Sequence, residues 1–386
     1  MPLHDLAEFL KLSASLNYNL SAASINRYNV LLFITGSKSL HPDVESDRQQ
    51  KALLMEALSY LFSAYSQKRR RLGPLAVLHP LRSTALFART HNDLQLIDML
   101  THLFHDILED IHITDFTRTA WSELEEQLLN LFSRLGADEQ DDLNDRLVCL
   151  TRNNEESYFH YIWRLFNCRR EPSKLLQVKL ADRLDNTLDM RIALQDPIEG
   201  IDFFQTVFEL LFAATYKGHL PETLHPPAEV LNGAKRLYQL FKNAVLLSLI
   251  RQKSGIMLDR TSQILFNAVA EASLKEAQRT FIHVIGYHYK DTTKQRTLVL
   301  EAMEYCFSGK SDLVTKPDSS QLLDGLFASY FGQNSSKVRD QRIDTLYQNK
   351  PLMLQASIAF LVIFINFLND PHYYVHGISA SGIDPR

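Results

Sequence analysis

Apolar residues recur at intervals of three and four along most of this chain. Residues 49–65 carry Leu53, Leu54, Ala57, Leu58, Leu61 and Phe62 at that spacing, the signature of an amphipathic helix. The same periodicity predicts helices over 3–16, 79–88, 124–135, 175–192, 203–215, 228–249, 259–289, 292–306 and 351–368, with 21–33 as a helix or buried segment. Stretches 36–47, which holds Pro42, and 308–320 are polar and read as loops. Gly136 stops the helix before an acidic, polar stretch over 137–145. Residues 217–227 combine three prolines with a glycine and form the best candidate boundary. The tail, 377–386, reads as disordered. With only 13 glycines and 13 prolines, the expected fold class is all-α. The expected organisation is an N-terminal helical segment over 1–48, a helical domain over 49–216 and a C-terminal helical region over 228–386.

One stretch, 100–111, departs from an ordinary core helix. Leu100, Leu103, Phe104, Ile107, Leu108 and Ile111 occupy its apolar positions. Between them sit His105, Asp106, Glu109 and Asp110. Glu109 follows His105 by four residues and Asp110 follows Asp106 by four, so a continuous helix reaching Asp110, capped at Asn92–Asp93, would stand two acid/base columns side by side. Charges are costly to bury unless they are paired or bound to a metal.

Two distant segments add to this stretch. Upstream, Leu78-His79-Pro80-Leu81 opens a helix, proline being tolerated in the first turn. Downstream, Val178-Lys179-Leu180-Ala181-Asp182-Arg183-Leu184-Asp185-Asn186-Thr187 lies in a helix of its own. A His, a His-Asp pair and a distant Asp, in that order, resemble the HD-domain metal-dependent phosphohydrolases. More narrowly, His79-Pro80, His-Asp-Ile-Leu-Glu-Asp and Lys-Leu-Ala-Asp-Arg-Leu-x-Asn resemble the hydrolase domain of the RelA/SpoT family, which removes the 3′-pyrophosphate of (p)ppGpp. The likeness covers about a third of the chain, 66–191.

That resemblance implies an HD-type helical bundle with His79, His105, Asp106 and Asp182 as metal ligands. It makes Glu109 and Asp110 jointly the catalytic acid/base pair. Arg70, nine residues before His79, corresponds to the arginine that packs on the guanine base, and Gly73 is also kept. Asn186 corresponds to a nucleotide-contacting asparagine. Three positions depart from the family pattern: Pro74-Leu75-Ala76 replaces Glu-Pro-Tyr, Asp185 stands where bacterial relatives usually carry His, and Leu188 stands in place of an arginine. Of the remaining histidines, His102 reads as a core or surface residue, and His219 and His225 as unbound loop residues. The aromatic run 158–166 reads as packing.

Mixed imidazole and carboxylate ligands suit Mn, Fe, Zn or Co, and the resemblance implies Mn²⁺ as the cofactor. The expected partner is a phosphorylated nucleotide, hydrolysed but not synthesised. Two other readings stay open: an HD phosphohydrolase (nucleotidase or phosphodiesterase) acting on another nucleotide, and a nucleotide-sensing regulatory protein without turnover. A formal net charge of −4 provides no overall positive field for nucleic acid. No membrane partner is expected, because the apolar core 356–368 falls short of the roughly 20 residues that span a bilayer. That helix instead reads as buried or as part of a homo-oligomer interface. Cys149, Cys168 and Cys306 show no metal-ligand spacing, and a reduced, cytoplasmic setting is the simplest expectation. The N-terminus lacks the pattern of a secretory signal.

Overall fold

The computed structural model describes residues 27–66, 68, 76–153, 155–169, 171–190, 232–253, 259–308, 326–332 and 335–383. The expected helices over 3–16 and 203–215, the boundary at 217–227, and Arg70 and Gly73 lie outside them. The described chain is all-α apart from one two-stranded hairpin. It divides into two compact units: residues 1–153, 164–188 and 258–265 form the first, and residues 154–163, 189–257 and 266–386 form the second.

The first unit carries α1 (Arg27–Thr35), α2 (Val44–Ala64), α3 (Leu78–Thr90), α4 (Leu96–Phe104), α5 (Ile107–Asp110), α6 (Arg118–Ser133) and α7 (Ala137–Leu150). It also holds nearly all of α9 (Pro172–Asp189), and the last residues of α8 (Tyr158–Leu165). Helix α2 begins earlier than the apolar period implies. Asp43 caps it, accepting from the Ser46 amide at 2.9 Å, and Glu45 and Asp47 occupy its first turn. Both features satisfy or complement the free amides of a helix N-terminus. Its apolar face buries Leu54, Ala57, Leu58 and Leu61 completely, each leucine contributing about 1.5–3 kcal/mol. Helix α4 packs between α2, α3 and α7, and α1 covers α3. The acidic, polar stretch over 137–145 lies in α7. Glu139 reaches back to accept from the Gly136 amide at 3.0 Å, so a sequence without an apolar run still nucleates a turn. The aromatic run 158–166 does pack: Phe159, Tyr161 and Phe166 are buried.

An ionic clamp pins the helices together. Asp98 on α4 is 3% exposed and accepts from Arg146 on α7 at 2.8 Å and from Lys174 on α9 at 2.6 Å. The cysteine expectation needs correction. Cys149 and Cys168 form a disulfide across 19 residues, with Cα atoms 6.5 Å apart, and Cys306 is a free thiol. Sequence spacing carries no signal for such a pair, because the turn after α7 and helix α8 bring the two ends together.

The second unit contains α10 (Gly233–Gln252), most of α11 (Arg260–His288), α12 (Thr292–Ser308), α13 (Ser336–Gln348) and α14 (Lys350–Asn369), with a π-helical turn at Phe327–Phe331. Phe241, Phe327, Phe331, Phe360 and Phe364 stack around α14. Helix α14 is longer than its expected apolar core. At 20 residues it is long and apolar enough to cross a membrane, but 72% of its apolar window is buried within the protein. The tail also differs from expectation: Ile378–Ser379 pairs antiparallel with Gly382–Ile383, helped by Gly382 at φ +124°.

Candidate metal centre

The expected helix through Asp110 is not continuous. Gln95 precedes its first turn, not Asn92–Asp93, and α4 ends at Phe104. His105 and Asp106 form a turn, and α5 restarts at Ile107 for four residues. The break interrupts the His105–Glu109 step, since the Glu109 amide donates to the Asp106 carbonyl at 3.1 Å, whereas the Asp110 amide donates to the same carbonyl at 2.8 Å and keeps Asp106 and Asp110 one turn apart. Leu108, expected in the core, is 50% exposed. His105 and Asp106, at the break, lie beside His79 of α3 and Asp182 of α9.

His79, Asp106, His105 and Asp182 each offer one ligand atom, and these four atoms all lie within 4.8 Å of one another. His79 Nε2 is 3.2 Å from Asp106 Oδ2 and 3.2 Å from Asp182 Oδ1, and His105 Nε2 is 3.3 Å from Asp106 Oδ2. A cation bound at roughly 2.0–2.2 Å needs neighbouring ligand atoms roughly 3.0–3.4 Å apart. The tautomers also suit a cation. His105 Nδ1 donates to the His102 carbonyl at 2.7 Å, leaving Nε2 directed at the cluster. That atom is buried and makes no hydrogen bond. His79 Nδ1 donates to Asp185 Oδ2 at 2.6 Å, so its Nε2 also faces inward. His79, His105 and Asp182 are almost fully buried and Asp106 is half-buried, which leaves one side for exchange with solvent. These residues fit a divalent ion.

The charges are mutually adjusted. Burial alone would raise the Asp106 carboxyl, but His105 and His79 hold it well below the usual carboxylate range. For Asp182, burial is outweighed by Lys179, whose Nζ is 2.5 Å from Oδ2, and by His79. Burial disfavours charge on His105, yet Asp106 keeps its pKa above the ordinary value. Glu109 and Asp110 move the other way. Desolvation by the walls of the site raises both, partly offset at Glu109 by Lys179, while Asp106 adds repulsion at Asp110. Glu109 Oε1 accepts from the Arg152 amide at 2.6 Å, and Asp110 Oδ2 accepts from the Tyr65 hydroxyl at 3.0 Å. Both carboxylates are thus held, on the more open side of the cluster.

Asn186 is tied inward: its amide donates to the Asp182 carbonyl at 3.0 Å and also to the Asp182 carboxylate. His102 is a core residue, stacked on Phe87 at 3.7 Å with Nδ1 donating to the Asp98 carbonyl at 2.8 Å. Burial drops its pKa to about 3, so it is neutral. Tyr65 and Arg82 stand out only in the structure, and Lys179, part of the Lys-Leu-Ala-Asp-Arg block, shows its place beside Asp182 only there. Lys68 binds the Asp110 carbonyl and, at 2.9 Å, Asp115. The signal that could have found Lys179 and Arg82 is that each stands three residues from a ligand on the same helix. No protein-family model matches this chain, and no curated protein or solved structure matches it.

Proposed function

We propose that the chain is a metal-dependent phosphohydrolase of the HD type, acting on a phosphorylated nucleotide, with guanosine 3′,5′-bis(diphosphate) as the leading candidate substrate and its 3′-pyrophosphate as the leaving group. One observation carries the reading: two imidazoles and two carboxylates from three separated segments converge within 4.8 Å, next to two carboxylates with raised pKa. His79, His105, Asp106 and Asp182 would hold the cation. Such an ion supplies charge neutralisation for the phosphate and a more acidic water. Mn²⁺ is the proposed metal.

The chain's own residues do the rest. Glu109 and Asp110 accept and return the protons of the attacking water and the departing oxygen, a task suited to carboxyls titrating nearer neutrality. They are assigned jointly because neighbouring carboxylates share their protons. The Arg152 amide and the Tyr65 hydroxyl fix their orientation. Lys179, beside Asp182, lowers the net negative charge that a phosphate would meet.

The test is pyrophosphate release from guanosine 3′,5′-bis(diphosphate) by purified protein with Mn²⁺. Asp182→Ala, with its helical content preserved, is expected to lose at least about two orders of magnitude in turnover, more than supporting residues of a metal site cost. Wild-type turnover in that variant would refute the reading. Release of orthophosphate from another nucleotide in a panel would favour the broader phosphohydrolase over the pyrophosphohydrolase.

A further inference from the structure

Helices α3 and α9 meet with matched spacing. His79 and Arg82 are three residues apart on α3, and Asp182 and Asp185 are three apart on α9, so each pair shares a helix face. The pairs meet as two rungs. The outer rung, His79 Nε2 to Asp182 Oδ1 at 3.2 Å, belongs to the ligand cluster. The inner rung is an Arg82–Asp185 ion pair, with Nε 2.7 Å from Oδ1 and Nη2 3.1 Å from Oδ2. A diagonal joins them: His79 Nδ1 to Asp185 Oδ2 at 2.6 Å. Asp185 is completely buried and Arg82 is 1% exposed.

If Asp185 served only to neutralise Arg82, it would not need to approach His79 so closely. One carboxylate instead accepts from an imidazole and a guanidinium at once. Its three donor contacts, two from Arg82 and one from His79, fall on two acceptor oxygens, whereas an amide offers only one. The two-pronged contact from Arg82 fixes the plane of the carboxylate. The carboxylate then holds the Nδ1 proton of His79, orients the ring and makes Nε2 a stronger electron donor. Acids that support a metal-binding imidazole in this way raise ligand basicity and set metal affinity.

We propose that Asp185, braced by Arg82, is a positioning residue of the cation site that sets its affinity for divalent metal through His79. The proposal rests on the metal-centre part of the function above and is independent of the nucleotide.

The experiment compares Mn²⁺ binding by calorimetry in the wild type, in Asp185→Asn, and in the double variant Arg82→Met/Asp185→Asn. The double variant removes both buried charges, a change that folds tolerate better than stranding one of them. In each folded variant the dissociation constant is expected to rise by about 10–100-fold. In the Zn²⁺-loaded wild type, the His79 Nδ1 proton should appear as a slowly exchanging downfield resonance, and the variants should lose it. A purely structural role would lower the melting temperature and leave the dissociation constant unchanged. Affinity within twofold of wild type in either folded variant overturns the assignment of Asp185 and leaves the hydrolase reading standing. Absence of Mn²⁺ binding in the wild type overturns both.

Discussion

Lys174 Nζ lies 2.6 Å from Asp98 Oδ2, so the helix that delivers Asp182 is tied to the helix leading into His105 by a pair that contains no proposed ligand. Asp98 is also held by Arg146. Asp98→Ala removes one of two carboxylates that lie 2.8 Å from the buried Arg146 guanidinium, Asp142 being the other, and takes the partner from Lys174. The expected cost is about 1.5–3 kcal/mol, read as a lower denaturation midpoint, with metal affinity falling as a secondary effect.

The same carboxylate predicts part of the acid response. Burial alone would raise the Asp98 pKa, but Lys174 and Arg146 hold it below the ordinary value. A group whose folded pKa is depressed adds stability that is full above its unfolded pKa, about 3.9, and is lost as pH falls below that toward the folded value. Melting temperatures measured from pH 6 down to about 3 should fall less steeply in Asp98→Asn than in the wild type. Parallel curves would remove Asp98 from the acid response.

Glu109 and Asp110 are expected to separate chemistry from binding. Glu109→Gln and Asp110→Asn should each lower turnover by about 10²–10⁴-fold, the usual worth of a positioned acid or base, with Mn²⁺ affinity close to wild type. Loss of Mn²⁺ binding in step with turnover would instead make them ligands. Tyr65→Phe removes the hydroxyl that orients Asp110 and should give a smaller loss.

The Cys149–Cys168 bridge closes a loop that contains Thr151 and Arg152. Arg164 reinforces it by donating to the Cys149 carbonyl at 2.9 Å and to the Thr151 carbonyl at 2.8 Å. Reduction, or Cys149→Ser with Cys168→Ser, should cost about 3 kcal/mol for a loop of this length. Because the Arg152 amide holds Glu109, turnover should fall with stability. An unchanged melting temperature under a dithiol reductant would contradict this.

Metal removal provides a final check. A ligand that binds the folded state alone stabilises it by about 2.7 kcal/mol at a hundredfold excess over its dissociation constant. Mn²⁺ should raise the melting temperature of the wild type, chelator should reverse the shift, and Asp182→Ala should show neither change.

The helical architecture and a His/Asp group that could hold a metal were both legible in the chain, for different reasons. Periodicity reports which face of a helix is buried, and the 49–65 pattern reappears in the buried face of α2. The four candidate ligands were legible through the resemblance of three short motifs, because a carboxylate among apolar residues can equally be an ion-paired core group, as Asp98 is. The break at His105–Asp106 was not legible, since apolar residues keep helical spacing across it. Leu108 misled for the same reason. Asp185 was seen only as a departure from a pattern, because its partners lie more than a hundred residues upstream.

The sequence by itself determined an all-helical chain and the imidazoles and carboxylates set among its apolar positions, because composition and periodicity are local properties. Tertiary structure alone decided where those side chains point. It turned Nε2 of both histidines inward, paired Cys149 with Cys168, and set Asp185 against His79 and Arg82. Each of these outcomes depends on a contact between helices, and no local pattern encodes the distance between residues far apart in the chain.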